Sequence, residues 1–242
     1  MMLGDVPGLT GLEIWPGVAD GVPLYHYRES RRTYFLALAE FLVRLHRGEA
    51  GTEDAGRAVG FARAVFAGGE ALHPMLAAVL ATTPLPFEVE IETGGPYSAR
   101  EGAQCLIEQM GWQRGVALDV GQVQLKVMTA AGDCLVPRAE GDAPVRTMIR
   151  EGLAKAEGLL GAAPDGVALG LPVRIDRRGV AEPASYPDLA GPLQPLLGDL
   201  FRSPWIVLND AVLTALGFPP RDGEKTLVVT LGFGLGAAIW EP

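Results

Sequence analysis

The thirteen residues from Gly115 to Val127 limit what this chain can become more than any other stretch. Val116 and Leu118 alternate with Ala117 before Gly121, and Val123, Leu125 and Val127 alternate with Gln122, Gln124 and Lys126 after it. A period of two on both sides of a glycine predicts an antiparallel hairpin with one face in a core. Asp119 stands beside that turn. A carboxylate at the mouth of a sheet, next to a glycine that lets a ligand approach the backbone, is one way to place magnesium and phosphate. An ordinary turn aspartate is the alternative at this point.

A hairpin of this kind needs a core to cover it. With 242 residues, 48% of them hydrophobic, the chain can build one large domain or two lobes. The net charge of −9 argues against nucleic acid and against an anionic membrane as partners. No window holds the roughly eighteen uninterrupted apolar residues of a membrane span, and no basic, then apolar leader opens the chain, so a cytoplasmic protein is expected. Cys105 and Cys134 match no metal-ligand spacing. They read as core residues in a reducing compartment, with neither zinc nor a disulfide expected.

Residues 1–22 read as loop with weak strand material at Leu12, Ile14 and Val18, and residues 23–27 as a strand end. Ser30 is a reasonable cap for a strong helix through Tyr34, Phe35, Leu38, Phe41, Leu42 and Leu45, stopped by Gly48. A weaker helix is expected near Glu53 to Ala62. Arg63 to Ala67 reads as a buried strand ending in Gly68 and Gly69, followed by a helix from Glu70 to Ala81. Such a strand, glycine pair and helix occur where open α/β sheets bind ligands, although a plain connecting loop reads equally well. Phe87 to Ile91 predicts a strand, and Tyr97 to Met110 a helix whose Gly102 and Ala103 permit close packing.

After the opening hairpin, Gly132 to Val136 predicts a third strand, Pro144 to Leu160 a helix, Gly166 to Leu171 a strand and Leu189 to Phe201 a helix. Trp205 to Leu208 is a buried strand that delivers Asn209 and Asp210 to a helix from Ala211 to Leu216. Asp210 as a helix cap is the simple explanation. Lys225 to Leu231 is another buried strand, turned by Gly232, Gly234 and Gly236, after which Ala237 to Trp240 returns. Glycines at alternate positions would let successive amides point at an anion; a bulged hairpin is the other reading.

Residues 114–217 thus run strand, strand, strand, helix, strand, helix, strand, helix. Reading on from Lys225 to Pro242 and then from residue 1 gives the same order. A two-lobed duplicated fold whose termini have moved into one lobe accounts for both halves, and permutation is tolerated at surface turns.

Four stretches in this order resemble the ROK sugar kinases of the actin-like ATPase superfamily. Ala117 to Gly121 through Lys126 looks like the first phosphate motif, and Gly166 to Val173 is similar to the strand and turn before the substrate cleft. Asn209-Asp210-Ala211 through Gly217 resembles the motif of the catalytic base, and Leu231 to Gly236 the second phosphate motif. Phe66 to Gly69 and Ala99 to Ala103 resemble the adenosine-side Gly-Gly turn and Gly-Ala helix, which here precede the first phosphate motif. The resemblance implies an α/β, two-lobed actin-like ATPase (ribonuclease H-like) fold with duplicated βββαβαβα lobes, circularly permuted. Lobe I would be residues 110–217, and lobe II residues 218–242 plus 1–109.

It further implies ATP between the lobes and magnesium at Asp119, with Gly121, Gln122, Gly232, Gly234, Gly236, Gly68 and Gly69 contacting the nucleotide. Asp210 would be the catalytic base and Asn209 would orient the acceptor, with lobe closure excluding water. The expected function is ATP-dependent phosphoryl transfer to a hydroxyl of a sugar or similar small metabolite, and a homodimer is left open. Departures are equally concrete. Gln122 and Val123 stand where the family has glycine and threonine, Val173 replaces a glycine, and both the zinc-binding cysteines and the Gly-Glu-x-Gly-His segment are missing. His26 is the one histidine in that place, and Lys126 reads as a solvated strand residue. A degenerate, non-catalytic nucleotide- or sugar-binding protein is therefore the alternative, and an assembly scaffold of the same fold a third reading.

Overall fold

Gly115–Val120 is a strand with every residue buried, and Gln124–Thr129 runs back antiparallel to it, as the alternation predicts. The computed structural model describes residues 2–3, 6–12, 14, 30–50, 54–138, 144–182, 186–221, 223–232 and 234–242. The expected strand end at 23–27, with His26 in it, lies outside them.

In chain order the elements are β1 (Met2–Leu3), β2 (Leu9–Leu12), α1 (Arg31–His46), α2 (Ala55–Ala58), β3 (Arg63–Ala67), α3 (Pro74–Thr82), β4 (Glu88–Ile91) and α4 (Arg100–Gln109). They continue as β5 (Gly115–Val120), β6 (Gln124–Thr129), β7 (Gly132–Pro137), α5 (Val145–Leu160), β8 (Gly166–Leu171), β9 (Val180–Ala181), β10 (Gly191–Pro192) and α6 (Leu193–Leu197). The last are β11 (Trp205–Asn209), α7 (Asp210–Ala215), β12 (Thr226–Leu231) and β13 (Leu235–Trp240).

The chain divides into two units, one of Met1–Asp5 and Ala99–Gly217, the other of Val6–Ser98 and Phe218–Pro242. Compared with the boundary expected at 110, α4 belongs to the first unit, where it packs on β5, β8 and α7.

The first unit holds a mixed sheet in the order β1-β11-β8-β5-β6-β7. β5, β8 and β11 are parallel and almost wholly buried, so they read as continuous apolar runs; β6 and β7 are antiparallel, and β6 begins with part-buried and buried residues in alternation. α5 presents Val145, Met148, Ile149, Gly152 and Ala156 at helical spacing to one face, and Gly161 ends it at φ 69°. α4 and α7 cover β8 from the other side. They approach so closely that a Cβ on Gly102 would overlap the Leu213 carbonyl oxygen.

The second unit has its own core and a sheet in the order β2-β13-β12-β3-β4. β13 and β2 are antiparallel to their neighbours, whereas β12, β3 and β4 are parallel. Counted from β12, this is the strand order and direction that the first unit shows counted from β5. The C-terminal hairpin is thus central to its sheet, between β2 and β3, and leaves no exposed edge. α1 buries Tyr34, Phe35, Leu38, Phe41, Leu42 and Leu45 as its periodicity predicts.

Several helices are shorter than expected. The Leu189 to Phe201 helix is replaced by 3-10 turns at Pro187–Leu189 and Gly198–Leu200, with β10 and the short α6 between them. Pro192 and Pro195 lack the amides a continuous helix needs. The Glu70 to Ala81 helix breaks at His73, whose Nδ1 accepts the Met75 amide and caps α3; a 3-10 turn at Gly69–Leu72 precedes it. The expected helix from Tyr97 becomes a 3-10 turn at Gly95–Tyr97 followed by α4, and the weak one near residue 53 shrinks to α2. Both cysteines are half-buried rather than central to the core.

Candidate functional site

Parallel pairing of β5, β8 and β11 brings three expected residues of the first unit to one end of its sheet. Asp119 pairs in register with Gly170, and Asn209 with Leu171. Gly170 lies between the two acids: a Cβ there would stand in ordinary contact with Asp119 Oδ1 at 3.6 Å and the Asp210 Cα at 3.7 Å, and would press on the Leu213 side chain at 2.8 Å. Asp119 is 4% exposed.

Asn209 caps α7. Its Oδ1 accepts the Ala211 amide at 3.0 Å, and its Nδ2 donates to the Val173 carbonyl at 3.2 Å, so an acceptor would have to share that amide. Asp210 is the first helical residue, and its Oδ1 also accepts the Ala211 amide, at 2.8 Å. Burial first, then the neighbouring Asp119 charge, push the Asp210 carboxyl up to about 7, against the lowering influence of the Ala211 amide and Lys126. A carboxyl poised there can take a proton near neutral pH.

Lys126 is not the solvated strand residue the alternation implied. Its Nζ donates to Asp119 Oδ2 at 2.6 Å, and its side chain is only 19% exposed. Strand alternation reports which face a residue takes. It does not report that a cross-strand acid on that face will bury the lysine with it.

The β5–β6 turn is held from several sides. The Gly121 amide donates to the Gln124 carbonyl at 2.9 Å, and the Gly121 carbonyl accepts the Tyr186 hydroxyl. The Arg138 amide donates to the Val123 carbonyl at 2.9 Å. Among the described residues, the Gln122 and Val123 amides find no acceptor, so the turn's remaining donors are at its tip. Gln122 is half-buried and Val123 exposed. The Arg138 guanidinium lies over the Tyr186 ring, 4.7 Å from its centroid. Burial pushes the Tyr186 phenol up to about 12. Neither Arg138 nor Tyr186 was legible, because no local pattern links residues so far apart.

The second unit holds the remaining expected residues. Gly68, at φ 98°, ends β3 where a Cβ would overlap the Leu231 carbonyl, so the Gly-Gly turn abuts the end of β12. Gly69 opens a 3-10 turn. The Gly232 amide donates to the Gly234 carbonyl at 3.1 Å, and a Cβ on Gly69, Gly232 or Gly234 would meet nothing within 4 Å. Gly236 pairs with Thr230 in the β12–β13 ladder.

Asp119 and Asp210 supply hard oxygen donors that suit magnesium, yet Asp119 Oδ2 is engaged by Lys126. Among the described residues no group of three or more His, Cys, Asp or Glu could hold a metal. Magnesium commonly keeps its waters and takes one or two carboxylates plus phosphate oxygens, so these residues fit an ion that arrives with a nucleotide. Two cavities of about 220 Å³ lie elsewhere in the first unit, one beside α5 and Phe201, the other beside Arg100 and Ile107. No helix among the described residues is long and apolar enough to cross a membrane.

No protein-family model and no curated protein sequence matches the chain. Among solved structures it is similar to a ROK hexokinase from Thermus thermophilus, at 26% identity and a TM-score of 0.41, over 52% of this chain and 46% of that one. The match therefore spans about half of each protein.

Proposed function

We propose that this chain is an ATP-dependent phosphotransferase acting on a hydroxyl of a sugar or similar small metabolite. The observation that carries the reading is Asp210, a carboxyl raised to about 7 on the first turn of α7, with Asp119 beside it across Gly170. A base with that affinity accepts the proton of an attacking hydroxyl as the phosphoryl group moves. Asn209 fixes the strand-to-helix junction from which Asp210 projects and offers its amide to the acceptor.

Magnesium, held by Asp119 and phosphate oxygens, would neutralise charge on the transferring group. The tip amides of Gln122 and Val123 bind phosphate oxygens, and Lys126 moves from Asp119 toward them as the nucleotide enters. In the second unit, Gly232, Gly234 and Gly236 serve phosphate, and Gly68 and Gly69 the adenosine. The central place of the C-terminal hairpin in its sheet supports a circularly permuted arrangement of the duplicated fold.

A second reading, a binding protein without turnover, is favoured by the Lys126–Asp119 pair and the bulk of Gln122. ADP release across a panel of sugars, compared between the native protein and Asp210→Asn, separates the two. Faster release in the native protein with one sugar supports the kinase; equal background rates with tight nucleotide binding support the binder.

A further inference from the structure

We propose that Arg138 and Tyr186 form an oxyanion subsite beside the Gly121 turn, in which the guanidinium takes a phosphoryl oxygen of a bound ligand. The choice of phosphate rests on the phosphotransferase reading; the subsite itself rests on four observations within the first unit. Arg138 Nε is buried and has no hydrogen-bond partner. Arg138 takes part in none of the ion pairs among the described residues. Asp188, whose charge reaches the Tyr186 hydroxyl, accepts the Val145 amide on its Oδ2 at 2.8 Å.

A half-buried guanidinium whose Nε is left without an acceptor, and which forms no ion pair among the described residues, keeps a donor to spare in a chain of net charge −9. Position is the second observation, because the Arg138 amide is bonded to Val123 and the residue is therefore pinned to the turn. The third is the stack on Tyr186, which fixes the plane of the guanidinium, while the Tyr186 hydroxyl fixes Gly121. Fourth, the tip amides of Gln122 and Val123 are without acceptors on the same turn. A planar fork of donors and two free amides around one turn make a site for a tetrahedral oxyanion. It would supply a donor where Val123 stands instead of the threonine of the resemblance and so lacks its hydroxyl.

The test uses the whole chain and orthophosphate as probe, with calorimetry and thermal unfolding on the native protein, Arg138→Met, Arg138→Lys and Tyr186→Phe. Arg138→Met is expected to weaken orthophosphate by about tenfold or more, and Arg138→Lys, which keeps the charge and loses the fork, by less. Unchanged orthophosphate binding in Arg138→Met, or none in the native protein, would overturn the subsite. Should Arg138→Met fail to fold, the order native, Arg138→Lys, Tyr186→Phe in phosphate affinity carries the test, and equal affinities overturn it.

Separate titrations with ATP, ADP, adenosine, and phosphorylated and neutral sugars locate the source of the oxyanion. Loss confined to ATP assigns the oxyanion to the nucleotide, and loss confined to a phosphorylated sugar assigns it to the acceptor. If neither adenosine nor ATP binds while orthophosphate still depends on Arg138, the phosphotransferase reading fails and the subsite stands.

Discussion

Asp119 and Lys126 are register partners across β5 and β6, and their charged ends meet at 2.6 Å with only 6% and 19% of the side chains exposed. An ammonium therefore already sits on the carboxylate to which the proposed function assigns magnesium. Two unlike charges buried together leave the pair neutral, which is what allows an acid to remain on the inner face of a nearly dry strand.

Removing one partner strands the other. Lys126→Met should lower stability by about 2–3 kcal/mol, somewhat below the cost for a fully buried pair because Lys126 keeps part of its hydration. Asp119→Asn combined with Lys126→Met should recover most of it in urea denaturation. Millimolar magnesium should stabilise the single variant and leave the native protein unchanged; equal responses would mean that Lys126 does not compete for Asp119.

Asp210→Asn should reduce phosphoryl transfer by about 10²–10⁴-fold with little change in nucleotide binding. Native activity should rise with pH through about 7 as the carboxyl ionises. Steady-state rates between pH 5 and 9 check this, and a profile flat through 7 would remove Asp210 as the base.

Stability gives a reading of the same group that does not need a substrate. Asp210 is raised from its ordinary value of 3.8 to about 7, so the folded state holds the proton more tightly than the unfolded chain. Its ionisation opposes folding, with no penalty below about pH 4 and the full penalty above about pH 7. Asp210→Asn should thus unfold at a higher temperature than the native protein at pH 8, and the gap should close toward pH 4.

Gly102 and Gly158 make a paired test of helix packing. Alanine at 102 would overlap the Leu213 carbonyl and press on the Gly217 amide, forcing α4 off α7 at about 2 kcal/mol. On the exposed side of α5, alanine at 158 meets nothing within 4 Å and should add about 0.5–1 kcal/mol. Chemical denaturation of both variants decides it; a neutral Gly102→Ala would contradict the close approach.

Gly68→Ala should destabilise the second unit by about 2–3 kcal/mol, since a φ of 98° is strained for alanine and the Leu231 carbonyl is in the way. Hydrogen exchange should show the loss in β3 and β12. Protection lost across β5 and β8 instead would contradict it.

Local pattern made the strands legible. β5, β8, β11 and β12 are uninterrupted apolar runs, and α1 and α5 carry stripes at helical spacing, so the α/β character and the repeated element order could be read directly. The interrupted stretch from 187 to 200 was not legible as such, because apolar periodicity continues through Pro192 and Pro195 while the backbone bonding does not.

The sequence by itself determined which segments would be buried strands and which turns would carry glycine and acid, since those follow from side-chain periodicity and backbone freedom between near neighbours. Only the tertiary structure decided that Lys126 would lie on Asp119, that Gly170 would lie between Asp119 and Asp210, and that Arg138 and Tyr186 would close around Gly121. Each of these depends on strand register or on segments remote in the chain, and on the energy of burying charge without water. No local pattern encodes that energy, because it exists only once the sheet has brought the groups together.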